Sequence, residues 1–457
     1  MVLRSTPAIP TKAMRKAQVE RLGRDVRGSF LYGQVFKDSQ DQTCPVKKKG
    51  IPISVIQLNA TKHQSTEEDS PMAYSTTIMN ELMHLIPRHR FETVVKNLSG
   101  DRYVKRFDCW DQLTVLLNAQ ASGKNSLRDI EQAFKVQSDR LYHLGLPPVK
   151  RSTLADANKN RPSEIFEGLF YQILERCKDI TPKHKFRFKN PLYTIDASTI
   201  ELCLAAFPWA KFRTAKGALK LHCQLDHSGN IPSFLVVTDG KQHEIKATRK
   251  NFDLLPDSIY CLDRGYTDFS FFREILEAKS TFVTRAKDNM GYQVTGQHTT
   301  DNKKSVLSDE IIELSGFYSN RDYPDKLRLV RYYDKETDRI FDFLTNNFAL
   351  SALTIAQIYK ARWQIEAFFK WIKQNLKIKT FLGTSKNAVM TQIWVAMIYY
   401  LLLTYIKYQT RHKYSIFYLH RAIKETLMAP IALIDLLRAS EKTIPKLKQE
   451  EYQYAFL

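Results

Sequence analysis

The order of apolar segments after Pro191 constrains the fold of this chain more than any other feature. Three short runs of β-branched and aromatic residues come first, at Leu192–Ile195, Leu219–Leu225 and Ile231–Thr238. The patterns then predict a helix, a strand, a helix and a strand at 243–252, 258–262, 269–278 and 281–285. A strand-rich stretch at about 288–348 predicts a β insertion, and the chain is helical from Thr354 to about Leu437. This order predicts an α/β core whose second layer is completed late in the sequence.

The rest of the chain divides by composition and pattern. Residues 1–71 combine basic clusters, prolines and polar runs without a steady period, which predicts a poorly ordered basic extension. An orderly helical pattern follows Met72, so this residue is a candidate start of the functional protein. The alternative is that residues 1–71 are a basic arm that helps to hold DNA. Three regions are predicted after the extension: a helical domain at 72–185, the α/β domain at 186–437 and a C-terminal tail at 438–457.

The charge balance favours a polyanionic partner. The chain has 69 Lys and Arg against 48 Asp and Glu, a net charge of +21 and a pI near 9.5. Phosphate contacts release condensed counterions, so nucleic acid is the favoured partner, and an anionic membrane surface is the competing one. The longest apolar stretch, from Ile393 to Ile406, has about fourteen residues, whereas a membrane span needs roughly twenty. It therefore predicts a buried core helix in a cytoplasmic protein without a membrane partner.

The six cysteines are scattered, without a CxxC motif or a paired Cys/His spacing. This spacing argues against a structural zinc site and against a disulfide framework. We expect the cysteines to be small apolar core residues in a reducing compartment.

A candidate DNA-reading element lies in the helical region. The segment from Lys150 to Asn158 combines basic residues, Ser and Thr at a cap position and a short helix, after turn residues that include Gly145. This pattern is typical of a helix-turn-helix element. A small helical bundle without DNA contacts explains the same residues, so both interpretations stay open.

Two carboxylates follow predicted buried strands. Asp196 comes directly after Tyr193–Ile195, and Asp263 comes directly after Ile259–Leu262. Ligand sites in open α/β sheets lie outside the carboxyl ends of the strands, so both side chains are expected to face a site. Capping of a turn is the alternative explanation for each of them. Two further strand-end carboxylates are rivals, Asp226 and Asp239.

A third carboxylate shares a predicted helix face with three groups that can bind DNA. At about 100° per residue, a face roughly 60° wide carries Tyr359, Arg362, Glu366 and Lys373. The adjacent face is apolar and predicts a buried stripe, which places Glu366 at the border between core and cleft. Ion pairs along an exposed helix, Arg362 to Glu366 and Glu366 to Lys370, are the alternative explanation.

These side chains suit phosphodiester chemistry. Two Mg²⁺ ions about 3.5–4 Å apart can activate the attacking oxygen and stabilise the leaving oxygen, and Mg²⁺ is bound by a few carboxylates together with water. Arg362 and Lys373 can hold flanking phosphates, the first as a bidentate fork and the second as a point charge. Lys216 and Lys220 are predicted to contact the DNA backbone, with a charged, solvated strand edge as the alternative.

The sequence resembles the cut-and-paste DDE transposases of bacterial insertion-sequence family four from about Tyr74 to Leu437. Three matching motifs surround the aspartates, at Tyr193–Thr199, Lys216–His222 and Leu262–Tyr266. The pattern Tyr-x2-Arg-x3-Glu-x6-Lys is filled by Tyr359, Arg362, Glu366 and Lys373. The helical segment before Pro191 also resembles the N-terminal domain that accompanies this core in one branch of the family.

The resemblance implies an α/β fold with an RNase H-like catalytic core, a β-rich insertion between the second Asp and the Glu, and a preceding helical N-terminal domain. It implies that Asp196, Asp263 and Glu366 are catalytic and hold two Mg²⁺ ions, for which Mn²⁺ can substitute. Three residues would contact the terminal phosphates and a hairpinned DNA end: Tyr359, Arg362 and Lys373. A homodimer would bring the two terminal inverted repeats together, the N-terminal domain would read them, and strand transfer into target DNA would follow.

One departure from the family concerns the insertion. Residues 288–348 contain no Trp, whereas better-known relatives hold a flipped base with a Trp in this region. Other aromatic side chains are candidates for stacking a base instead: Tyr292, Phe317, Tyr318, Tyr332 and Tyr333. Two alternatives to a transposase are an RNase H-like DNA nuclease without strand transfer and an inactive or domesticated DNA-binding protein. The complete carboxylate set argues against the second alternative.

Overall fold

The computed structural model describes residues 76–443 except for 214–215, 241–243, 299–304 and 377–379. The basic extension predicted at 1–71 lies outside the described residues, as does most of the tail predicted at 438–457. The described residues all belong to one unit of the chain, which begins at Ser75.

Helices and strands are labelled in chain order. Within the described residues, six α-helices precede the first strand: α1 (Ile78–His84), α2 (Arg88–Asn97), α3 (Cys109–Ser122), α4 (Leu127–Val136), α5 (Arg151–Asn160) and α6 (Glu164–Ile180). Three lie between strands: α7 (Glu244–Asn251), α8 (Phe269–Glu277) and α9 (Phe317–Asp322). Five follow the last strand: α10 (Ala352–Ala361), α11 (Trp363–Asn375), α12 (Lys386–Gln409), α13 (Ile416–Thr426) and α14 (Leu433–Thr443).

The part of the chain that the structure describes has ten strands, which fall into two groups along the sequence. The first group is β1 (Leu192–Leu202), β2 (Lys211–Arg213), β3 (Lys216–Asp226), β4 (Ile231–Asp239), β5 (Ile259–Leu262) and β6 (Thr281–Arg285). The second group is β7 (Tyr292–Gln297), β8 (Val306–Leu314), β9 (Leu327–Asp334) and β10 (Arg339–Thr345).

All ten strands belong to one sheet with the order β2-β3-β1-β5-β6-β10-β9-β8-β7, and β4 pairs with β3. β1, β5 and β6 run parallel to one another, and the other pairings are antiparallel. The region in which a β insertion is predicted therefore does not form a sheet of its own. It extends the main sheet through the pairing of β10 with β6.

Different helices cover the two faces of this sheet. Tyr260 and Leu262 of β5 pack with α8 on one face, whereas Ile259 and Cys261 pack with α10 on the other. Because successive side chains of a strand alternate between faces, Asp263 belongs to the face covered by α10. The same count from Leu192, which also packs with α10, places Asp196 on that face.

The apolar stretch predicted to be a core helix lies within α12. This helix is long and apolar enough to pass the length test for a membrane span, but 89% of its most apolar window is buried inside the protein. It packs against α3, α5, α6 and α13. The helices before the sheet thus share one hydrophobic core with α11 and α12 instead of enclosing a separate one.

Local capping explains where the N-terminal helices begin. Asp108 and Asp111 form a capping box at the start of α3, and Ser126 accepts the Asp129 N–H at the start of α4. The Ser/Thr cap predicted for α5 is wrong. Lys150 is the N-cap residue without a side-chain hydrogen bond, because Ser152 and its neighbour Thr153 lie inside the helix.

Candidate active site

Asp196 lies where β1 loses its parallel neighbour. The parallel ladder with β5 ends at Ile195 and Leu262, whereas β1 continues to Leu202 in antiparallel pairing with β3. The strand is therefore longer than the predicted segment, because β3 pairs with it far beyond β5, and Asp196 is inside it. Since β5 no longer covers this side of β1, the carboxylate still faces an opening. Its Oδ1 accepts the Ala197 N–H at 2.7 Å.

Asp263 uses its two carboxylate oxygens differently. Oδ2 accepts the Gly265 N–H at 3.3 Å and caps the short 3₁₀ turn that follows β5. Oδ1 lies 3.7 Å from Nη1 of Arg362. Turn capping, the alternative explanation for this residue, is thus present, and it leaves the second oxygen facing the site.

The helix predicted to carry Glu366 is interrupted at Arg362. α10 ends at Ala361 and α11 begins at Trp363. The Arg362 N–H bonds to the Tyr359 carbonyl at 3.0 Å, and the Ile365 N–H bonds to the Arg362 carbonyl at 3.1 Å. These three-residue spacings form one tighter turn of the 3₁₀ type between the two helices.

The guanidinium of Arg362 lies among three carboxylates. Its Nη1 is 3.6 Å from Asp196 Oδ2 and 3.7 Å from Asp263 Oδ1, and its Nη2 donates to Glu366 Oε1 at 2.5 Å. The ion pair between Arg362 and Glu366, which was the alternative explanation of this helix face, is therefore present. The same guanidinium also brings the two strand carboxylates into the group.

Burial acts on the pKa values of Asp196 and Arg362. It raises the pKa of Asp196 to about 7, because desolvation outweighs the Ala197 N–H and the positive charge of Arg362. Burial also lowers the pKa of Arg362, but Asp263 and other neighbours more than offset this effect, so its pKa lies above the usual value. When all groups are ionised, three carboxylates face one guanidinium, so two negative charges are left over.

Tyr359 packs beside the carboxylate group. Its ring centroid lies 4.9 Å from that of Phe343, and Arg362 Cζ lies 5.7 Å above it. Burial raises the pKa of its phenol to about 12. The phenol is thus a neutral hydrogen-bond donor at physiological pH.

A cleft of about 470 Å³ opens beside the carboxylates. Lys373 lines this cleft, in agreement with its predicted position on the Glu366 face. Lys370 and Gln374 of α11 also line it, although neither was predicted as a cleft residue. Their spacings of four and eight residues from Glu366 place them on the same helix face, which is the signal that could have identified them.

The structure places other predicted residues elsewhere. Lys220 donates to Glu244 Oε1 at 3.1 Å and its side chain is 17% exposed, so it is engaged within the protein. The side chain of Lys216 lies outside the described residues. Asp226 accepts the Ser228 N–H at 2.7 Å in the β3–β4 turn, the capping role expected of a strand-end aspartate.

The aromatic residues of the insertion that are candidates for stacking a base lie in two separate regions. The antiparallel registers put Tyr292 and α9, with its exposed Phe317 and Tyr318, toward the beginning of β6 and away from Asp263. Two other candidates lie in the half of β9 at the Asp263 end, Tyr332 and Tyr333.

Within the part of the chain that the structure describes, no group of three His, Cys, Asp or Glu side chains is arranged closely enough to hold a metal ion. At the carboxylate site, Arg362 lies between Asp196, Asp263 and Glu366. The donor atoms there are carboxylate oxygens, the type that Mg²⁺ binds in proteins.

Comparisons with known proteins bear on this site. Residues 187–402 match the family model of the transposase DDE domain, and residues 74–147 match a domain of unknown function. The putative transposase y4zB of Sinorhizobium fredii is 34% identical over 254 residues, which cover 55% of this chain and 69% of the relative. The probable transposase for insertion sequence element IS5377 of Geobacillus stearothermophilus is 28% identical over 274 residues, which cover 60% and 71%.

The alignment with a solved structure, the synaptic complex of the piggyBac transposase with hairpin DNA, covers 83% of this chain and 83% of the piggyBac chain. The sequence identity is 12% and the TM-score is 0.37. The DDE family model spans all three carboxylates of the site. The similarity to y4zB extends over more than two thirds of that relative. The chain belongs to the DDE transposases of bacterial insertion sequences and is a DNA transposase.

Proposed function

We propose that Asp196, Asp263 and Glu366 are the catalytic carboxylates of a cut-and-paste transposase, which cleaves DNA at the ends of its insertion sequence and joins the ends to target DNA. The observation that carries this proposal is their convergence from β1, the end of β5 and α11 on a single guanidinium. A structural ion pair needs one carboxylate for one arginine, so three indicate a site that accepts further positive charge.

The donor set fits divalent cations. The carboxylate oxygens are hard ligands, and their excess negative charge matches the charge of Mg²⁺. Asp196, Asp263 and Glu366 would hold two Mg²⁺ ions, or Mn²⁺ in their place, with Arg362 moving aside from the position it takes between them. When bound, such ions supply activation of the attacking oxygen and stabilisation of the leaving oxygen.

The remaining residues of the cleft bind and orient DNA. Arg362, once released from the carboxylates, offers a planar fork to a phosphate next to the scissile bond. Lys373 supplies a point charge on the same side of the cleft. Tyr359 donates a hydrogen bond from a phenol that stays protonated.

An RNase H-like core is the fold that we infer for the catalytic part. The mixed order β4-β3-β1-β5-β6 supports it, with β1, β5 and β6 parallel and the two strands beyond β1 antiparallel. Double-stranded DNA is the partner that the net charge of +21 favours. A homodimer is the simplest assembly that holds two transposon ends at once.

The N-terminal helices are proposed to read the terminal inverted repeats through α5. Arg151, Ser152 and Thr153 at the start of this helix are exposed, while Leu154 and Ala157 pack inward. Side chains at the start of a recognition helix are those that reach base edges in a major groove. The 72–185 segment would then act as a DNA-binding layer attached to the catalytic core.

The test uses a duplex that carries the ends of the encoding insertion sequence. Asp196→Asn, Asp263→Asn and Glu366→Gln should each reduce Mg²⁺-dependent cleavage by about 10³-fold, which corresponds to about 4 kcal/mol. Asp226→Asn is the matched control, because this strand-end aspartate caps a turn, and it should cleave like the wild type. Equal cleavage by all five proteins would overturn the assignment.

A second assay separates the transposase from the nuclease alternative. Precut ends with free 3′-hydroxyl groups are mixed with supercoiled target DNA and Mg²⁺. Joined products are expected from the wild type, whereas a nuclease without strand transfer would leave the target unjoined. A DNA-binding protein without catalysis would bind the ends and yield neither cleaved nor joined DNA.

A further inference from the structure

Three adjacent parallel strands place a row of charged residues at the edge of the sheet. Ile195 pairs with Leu262 across β1 and β5, so Asp196 lies at the level of Asp263. Cys261 pairs with Val283 across β5 and β6. Two residues further along, Asp263 therefore lies at the level of Arg285, the last residue of β6.

Side chains at one level of neighbouring strands point to the same face of a sheet. Arg285 thus shares the face of Asp196 and Asp263, where Arg362 joins the carboxylates. Neighbouring strands are about 4.8 Å apart. The row extends the carboxylate site by one strand, toward the insertion, and ends on a positive charge.

Aromatic rings support the side chain of Arg285. Its Cζ lies 5.1 Å from the ring centroid of Phe341 in β10, and the Phe341 ring stacks on Phe343 at 6.0 Å with an interplanar angle of 15°. Phe343 contacts Tyr359, above which Arg362 lies. The rings of Phe341, Phe343 and Tyr359 therefore form a continuous row of contacts. The Arg362 guanidinium lies at the end among the carboxylates, and the Arg285 guanidinium lies at the other end.

Arg285 differs from the neighbouring basic residues in its charge partners. Arg331 on β9 bonds to both carboxylate oxygens of Asp342, at 2.9 and 3.0 Å, and Arg264 bonds to Asp288. Among the residues that the structure describes, Arg285 has a cation–π partner and no ion pair at 4.0 Å or less. A cation–π contact holds a guanidinium in place without neutralising its charge.

We propose that Arg285, supported by Phe341, binds a backbone phosphate of the DNA strand that lies along the edge formed by Asp196 and Asp263. The proposal rests on the proposed function, because that function puts DNA at this edge. Each strand of B-DNA carries a phosphate about every 3.4 Å along the axis. A phosphate adjacent to one at the carboxylates therefore falls within reach of the next strand of the sheet, and the guanidinium matches its oxygens in pairs.

The test measures binding of the end duplex in EDTA, where no cleavage occurs, as a function of salt concentration. Loss of one phosphate contact lowers the slope of log K against log salt by about 0.9. Arg285→Ala should show this decrease and bind at least about tenfold more weakly at low salt, equivalent to about 1.4 kcal/mol. Arg285→Lys keeps the charge and should retain the wild-type slope with an intermediate affinity.

Arg331→Ala is the matched control. It removes an arginine from the adjacent region of the sheet whose charge Asp342 already neutralises, so the slope should not change. Phe341→Leu keeps the charge but removes the ring, and it should weaken binding severalfold without changing the slope. Thermal unfolding of each variant verifies that it is folded.

Two results would overturn the inference. One is a wild-type slope for folded Arg285→Ala, and the other is the same decrease for Arg285→Ala and Arg331→Ala. If Arg285→Ala does not fold, the charge-removing variant Arg285→Gln takes its place in both comparisons. Failure of the proposed function appears differently, as DNA that is bound with a normal slope but never cleaved in Mg²⁺.

Discussion

Arg161 and Arg362 both have little solvent exposure and several oxygen partners, but the two regions differ in what those partners are. Arg161, at the end of α5, is 9% exposed and donates to the carbonyls of Phe107 and Asp108 and to the side-chain amide oxygen of Gln112. Arg362, between α10 and α11, has a side chain that is 15% exposed and faces three carboxylates.

The acceptors around Arg161 are neutral and fixed. The backbone carbonyls belong to the segment that enters α3, and Gln112 is held in turn by Asn158 at 2.8 Å. Asn387 at the start of α12 donates to the carbonyls of Asn158 and Arg161. This polar junction therefore ties α3 and α5 to the helix at the centre of the shared core.

The acceptors around Arg362 carry more negative charge than the arginine can neutralise, and they open onto a cleft. They also come from three separate elements, β1, the end of β5 and α11. Burial and hydrogen-bond number therefore do not distinguish these two arginines. What distinguishes Arg362 is an excess of charged acceptors, since among the described residues even the buried Arg328 faces only the one carboxylate of Asp309.

The largest effect is expected at the polar junction. Arg161→Met removes a donor from two carbonyls and an amide oxygen, of which the Asp108 carbonyl keeps the Gln112 N–H. It should lower the free energy of unfolding by about 3–4 kcal/mol. Urea unfolding measures the change. Arg128→Met, which removes an exposed arginine of α4, is the control and should stay within about 0.5 kcal/mol of the wild type. Equal losses of unfolding free energy in the two variants would show that the hydrogen bonds of Arg161 do not stabilise the fold.

Added Mg²⁺ should stabilise the protein through the carboxylate site around Arg362 and not through the polar junction around Arg161. A cation that binds only the folded protein raises the free energy of unfolding by about 2.7 kcal/mol at a hundredfold excess over Kd. We expect this stabilisation in the wild type and its loss in Asp263→Asn, with calorimetric titration as an independent measure of binding. A variant of the junction that still folds, such as Asn158→Ala, should respond like the wild type. Stabilisation that persists in Asp263→Asn would contradict the assignment of the site.

The pH dependence of stability should reveal the burial of Asp196 in the absence of metal. The pKa of Asp196 is raised to about 7 by burial, above the value of about 3.9 for an unfolded aspartate. Its protonated form is therefore favoured by folding, and this contribution is complete below the unfolded value and lost as the pH rises through 7. Between pH 5 and pH 7 the wild type should lose about 2 kcal/mol relative to Asp196→Asn. Parallel pH profiles of the two proteins would contradict this explanation.

The sequence predicted the positions of the clustered carboxylates better than the polar junction for a physical reason. Strand alternation and helical periodicity are local, so the positions of Asp263 and of Glu366 on its helix face follow from neighbouring residues. The break at Arg362 and its contacts with both aspartates depend on how α11 packs on β1. These long-range contacts are absent from any local pattern.

No sequence pattern predicted the structural role of Arg161. Its main partners are backbone carbonyls, which every residue possesses, so no residue type in the sequence marks them. The position of Arg285 beside Asp263 could not be predicted either, because it follows from the pairing register of β5 with β6. The boundary of the helical domain was predicted from a change of pattern at Pro191, and that pattern could not reveal that its helices share a core with α12.

The smallest effects are expected when the polar contacts of one side chain are altered in each region. Asn387→Ala removes a donor from two carbonyls and an acceptor from the Ser163 N–H, and it should cost about 1–2 kcal/mol, because buried backbone groups lose their partners. Glu366→Gln keeps the shape of the side chain and lowers the excess negative charge, so it should change the free energy of unfolding by less than about 0.5 kcal/mol. Urea unfolding in EDTA compares the two variants. A larger loss for Glu366→Gln would mean that Arg362 depends on all three carboxylates for stability, and that the negative charge of the edge is structural rather than held for a ligand.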